Sequence, residues 1–141
     1  MIRAAAAALC LTAAACAEVP PGVYGDVRLS DETGDLAGME LELIGTGEDA
    51  RAEFVICEGW CNTVIEAPVE GTDNGFTFHY VEHEYAPGGR SRNVRYNVDA
   101  VSIDAGLRVT VTPADNEAGV FTGDLPRIDE RFGLAVAAGE D

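Results

Sequence analysis

Apolar and polar positions alternate from residue 36 to residue 45, with Ala37, Met39, Leu41 and Leu43 on one side and Gly38, Glu40 and Glu42 on the other. A period of two is that of a β-strand with one packed and one wet face. A wet face belongs to antiparallel sheets rather than to doubly covered parallel ones. The pattern recurs over residues 22–29, where Val23, Gly25, Val27 and Leu29 oppose Tyr24, Asp26 and Arg28. It recurs again over residues 76–81, where Phe76, Phe78 and Tyr80 alternate with Thr77, His79 and Val81. Further β-runs are expected at residues 50–56, 62–67, 94–103, 107–112 and 119–122, with residues 132–137 as a closing strand. Turn-forming stretches separate them, among them Asn74-Gly75, Pro87-Gly88-Gly89, Asp104-Ala105-Gly106 and Pro113-Ala114-Asp115. No stretch of about 12 residues carries the helical period. Short strands joined by tight turns predict an all-β domain: a small antiparallel β-barrel of about eight strands in mostly meander order, with a β-sandwich as the alternative. Closure favours the barrel, because it removes exposed sheet edges.

The first residues read differently. Met1-Ile2-Arg3 precedes an uncharged run through Ala15 that has the length of a signal-peptide core and is too short to span a membrane. Residues 1–17 are therefore expected to be a signal peptide or lipoprotein leader, 18–22 a short linker, 23–137 a single barrel domain and 138–141 a frayed tail. Ala15-Cys16-Ala17 fits cleavage by ordinary signal peptidase, whereas Ala13-Ala14-Ala15-Cys16 resembles a lipobox that would leave Cys16 lipidated. The corresponding locations are the periplasm or, as a lipoprotein, the outer membrane, with secretion as the alternative.

Charge narrows the partners. Among 141 residues, 25 are Asp or Glu and nine are basic, every one of them arginine, for a net charge of −16. Nucleic acid is excluded as a partner, because binding its backbone needs a positive footprint. An anionic membrane is equally disfavoured, so membrane contact is expected only through a lipid on Cys16.

Few residues point to chemistry. Cys57 and Cys61 bracket Glu58-Gly59-Trp60 between two β-runs, which reads as a hairpin with a three-residue loop and a structural disulfide at its mouth. Trp60 at the tip either packs over the barrel end or is displayed for contact. Arg90, Arg92 and Arg95 form the one basic cluster, which either pairs with nearby acids such as Glu82 and Glu84 or recognises an anionic group. His79 and His83 on an extended strand lie about 13 Å apart, too far to share a metal ion. Acidic turns at Asp31–Asp35 and Asp115–Glu117 have oxygen ligands but not the spacing of a calcium loop. With three serines in the chain, Ser30, Ser91 and Ser102, no nucleophilic triad can be assembled, and neither catalysis, a cofactor nor a metal is expected.

The expected function is a non-catalytic exported binding protein of the cell envelope that captures a basic protein through electrostatic steering. In size, export and charge the chain is similar to bacterial periplasmic lysozyme inhibitors, a likeness carried by no motif residue and with no lysine for any lysine-dependent role. The alternatives are a lipocalin-like barrel binding a small apolar ligand and a structural envelope protein. Phe54, Phe76, Phe78 and Phe121 point to a filled rather than a hollow interior.

Overall fold

The structure is a computed structural model that describes residues 19–86, 88–115 and 119–140. Ten strands are formed: β1 (Gly22–Gly25), β2 (Arg28–Leu29), β3 (Leu36–Ile44), β4 (Arg51–Cys61), β5 (Ile65–Pro68), β6 (Glu70–Thr72), β7 (Gly75–Ala86), β8 (Arg90–Ile103), β9 (Gly106–Pro113) and β10 (Phe121–Ile128). A short helix, α1 (Gly133–Ala138), follows them.

Lateral order is β5-β4-β3-β1-β10-β9-β8-β7-β6, with β2 attached to β3, and the pairings are antiparallel. Neighbours in space are neighbours in the chain, except that β1 skips the short β2 to pair with β3 and that the first strand pairs with the last through Val23↔Ile128 and Tyr24↔Arg127. Two meanders are thereby joined into a nearly closed ring. At the remaining seam β5 lies against β7. The small antiparallel barrel in meander order is the observed fold.

Its interior is filled. Leu41 and Phe54 meet Phe76, Phe78, Val98 and Val109 in the main core, and Phe54 stands edge-on to Phe78 with ring centroids 5.7 Å apart. Val19, within the stretch expected to be a linker, is buried in this core. Over residues 22–29 the two faces do not divide into one packed and one wet: Val23 and Tyr24 are both buried, Tyr24 in the main core, whereas Val27 packs outside it. Asp26 separates the two strands here, accepting from the Met39 N–H at 2.8 Å through its carboxylate and donating its own N–H to the Met39 carbonyl. Side chains on either side of that interruption do not share one alternation.

A second apolar cluster, Leu36, Val55, Cys57, Cys61 and Leu134, lies on the outer face of β3 and β4 beneath α1. The closing strand expected at residues 132–137 is therefore corrected to a helix. Pairing of β10 with β1 already completes the ring on that side, so the segment finds a surface rather than an open edge. Glu40, on the outer face of β3 and only 1% exposed, accepts hydrogen bonds from the N–H groups of Phe132, Gly133 and Leu134 at 2.9–3.2 Å. These are the first N–H groups of the helix, which have no partner within it. Gly133 permits the close approach, since a Cβ there would stand 2.8 Å from Val27 Cγ2 and 3.3 Å from Cys57 Sγ. Arg131 completes the latch, 2.6 Å from Glu53 and 3.4 Å from Glu42. Among the described residues no helix is long and apolar enough to cross a membrane.

Candidate functional site

Each end of the barrel holds a cavity of about 560 Å³. The first, lined by Val19, Leu43, Ala50, Val69 and Phe76, is mainly apolar, with Glu48 and Glu70 also among its lining residues. The second opens between the reversal that ends β4 and the far half of the β7–β8 hairpin, and it gathers most of the remaining chemistry.

The β4 side of this mouth is rigid for a local reason. Residues four apart on an extended strand would be separated by about 13 Å, yet the Cα atoms of Cys57 and Cys61 are 4.3 Å apart and their sulfurs are bonded. The chain reverses across Glu58-Gly59-Trp60, helped by Gly59 at φ +84°, a conformation that costs glycine little. The predicted disulfide is thus present, and Leu134 of α1 packs with it from outside. Trp60 projects at the rim, 53% exposed, and is displayed rather than packed over the end.

Across the mouth, the alternation that sends Phe76 and Phe78 inward continues to Tyr80, Glu82 and Glu84. Their cross-strand partners on β8 are Tyr96, Val94 and Arg92. The Tyr80 and Tyr96 rings stack with centroids 5.1 Å apart. Tyr96 donates its hydroxyl hydrogen to the Glu84 carboxylate, and Arg92 lies 3.2 Å from Glu84 and 3.1 Å from Asp115. Burial raises the pKa of both tyrosines; for Tyr80 the charge of Glu82 adds to it, and for Tyr96 the hydrogen bond to Glu84 does. Glu82, exposed at the rim, has its pKa raised by partial desolvation, reinforced by the negative charges of Glu84 and Glu58. Three carboxylates therefore crowd one opening walled by Trp60, Tyr80, Tyr96 and Phe121. Phe121, expected to help fill the interior, is corrected to a mouth residue, 38% exposed, because β10 begins at the rim.

The other sequence candidates are dispersed. Arg92 is engaged in the ion pairs just described, Arg95 is exposed on the opposite face of β8, and Arg90 is exposed where β8 begins. His79 lies exposed on the outer side of β7, and His83, also exposed, edges the mouth cavity with its Nδ1 2.8 Å from Asn93 Oδ1. Among the described residues no three His, Cys, Asp or Glu side chains group as metal ligands. Cys16 lies outside the described residues. Sequence reasoning missed Glu58, Glu82 and Tyr96 as parts of a site. The available signal was the extension of the Phe76-Phe78-Tyr80 face into Glu82 and Glu84.

No protein-family model, curated protein or solved structure matches the chain.

Proposed function

We propose that this protein is a non-catalytic binding barrel that holds a small molecule in the mouth beside Trp60. One observation carries the reading: an exposed tryptophan, an exposed phenylalanine and a stacked tyrosine pair surround a cavity of about 560 Å³. That volume lies within the range of small-molecule pockets, and apolar side chains gathered at one exposed place mark contact sites. Because side chains fill the interior, the ligand sits in the mouth rather than at the barrel's centre. The leader-like N-terminal sequence and the disulfide support a place of action outside the cytoplasm.

Trp60 is the chain's sole tryptophan, so intrinsic fluorescence reports directly on this cavity. Titration with a panel of small aromatic, aliphatic and amine compounds is expected to give a saturable emission change for at least one of them. The same compound should raise the melting temperature, as any ligand selective for the folded state must. A panel that moves neither signal overturns the reading.

A second reading, capture of a basic protein, is favoured by Glu58 and Glu82 flanking the exposed tryptophan. Pull-down from envelope extract at low and at about 0.5 M salt tests it, since surface electrostatic contacts weaken at that ionic strength.

A further inference from the structure

We infer that the mouth selects an organic cation of the alkylammonium class, its charged head held between the Trp60 ring and the carboxylates of Glu58 and Glu82. The inference rests on the mouth being the ligand site. Three glutamates, one histidine (His83) and no arginine line this cavity. Glu84 is occupied by Arg92 and Tyr96. Among the described residues Glu58 and Glu82 have no ion-pair partner.

Each class of occupant meets this lining differently. A neutral apolar ligand would strip water from two unpaired carboxylates and return nothing for it, which is costly. An anion would add repulsion to the same loss. A compact metal ion requires several converging ligands, and among the described residues no three His, Cys, Asp or Glu side chains group as such. An alkylammonium satisfies both halves of the lining: its charge neutralises the carboxylates, and its methyl or methylene groups pack on rings whose faces attract cations, tryptophan most strongly. The upward shift of Glu82, caused by partial desolvation and by the charges of Glu84 and Glu58, marks a site where added positive charge would relieve repulsion.

Choline and 3,3-dimethylbutan-1-ol have nearly the same shape and differ in the charge of the head group, which makes them the discriminating probes. Binding is read by Trp60 fluorescence and by calorimetry on the oxidised protein, with an arginine-rich peptide as a third arm. Choline is expected to bind about tenfold more tightly than the alcohol, a difference in the range of a partly desolvated cation–π contact. The double variant Glu58→Gln/Glu82→Gln, close in shape to the parent, should abolish that preference. Equal binding of choline and the alcohol, unchanged in the variant, overturns the inference and leaves the small-molecule reading standing. Binding of the peptide alone overturns both in favour of a protein partner. Silence in all three arms overturns the inference, and the small-molecule reading then stands or falls with its own wider panel.

Discussion

The outer face of β3–β4 and the mouth treat negative charge in opposite ways. On that outer face, the braced wall of the barrel, carboxylates are structural members: Glu40 takes the first N–H groups of α1, while Glu42 and Glu53, directly opposite each other across the strands, share Arg131. Like charges facing each other across a sheet repel, and one arginine turns that repulsion into a clasp. The β7–β8 wall has its own arginine, Arg92, but it serves Glu84 and Asp115 and leaves Glu82 without an ion-pair partner among the described residues. Abundance of acid therefore says little in this chain. What separates a structural carboxylate from one open to a ligand is whether a donor has been provided for it within the fold.

The largest effect should come from the braced wall. Glu40→Ala leaves three helix N–H groups without an acceptor in a buried place, and about 3 kcal/mol of stability should be lost in urea denaturation. A loss below about 1 kcal/mol would mean that water replaces Glu40 at little cost and that this wall is not braced as described. Next comes the clamp: Cys57→Ser/Cys61→Ser should cost about 2 kcal/mol on the chain-entropy estimate for so short a loop. It should also broaden the environment of Trp60, seen as reduced near-ultraviolet circular dichroism.

The open wall should respond with the other sign. The pKa of Glu82 is raised in the folded protein, so above the ordinary glutamate range the unfolded chain ionises more readily than the folded one. Ionisation of Glu82 thus works against folding, an effect absent at low pH, setting in through the ordinary range and complete above the raised value. Glu82→Gln should accordingly raise the melting temperature at neutral pH, with the gain fading as pH falls below the ordinary range. Loss of stability at neutral pH would show that Glu82 has a favourable partner after all. The smallest effect belongs to neither wall: Arg108 and Asp124 form an exposed pair between β9 and β10 at 2.7 Å. Its hydrogen bond lowers the Asp124 pKa, yet Arg108→Ala should leave the urea midpoint within error, as exposed pairs commonly do.

The barrel was legible where one face of a strand meets the core and the other meets water, as at Leu41 and Phe78. Legibility failed wherever a second layer covered the outer face. The alternation assigns Glu40 to the outside correctly, but nothing local shows that α1 will lie over it, since its partners Gly133 and Leu134 are more than 90 residues away. The helix was hidden for the same reason. Six residues are too few to display a helical period, and their stabilising partners are supplied by a distant strand. The disulfide was readable from the cysteine spacing and the flanking β-runs. The arms of the expected hairpin were not, because β4 continues through Cys61 and pairs with β5 only from Phe54↔Ile65 to Arg51↔Pro68. The mouth was not, because beyond Tyr80 the inward face of β7 carries Glu82 and Glu84, and acids on an inward face resemble loss of strand rather than its continuation past the core.

Val19 lines the cavity at one end of the barrel, and Trp60 stands at the other. The polypeptide thus enters the domain at the pole opposite its aromatic opening. A chain held by its N-terminal segment, on a membrane, a bead or a fusion partner, would stand with that opening turned outward and free to sample the surrounding fluid.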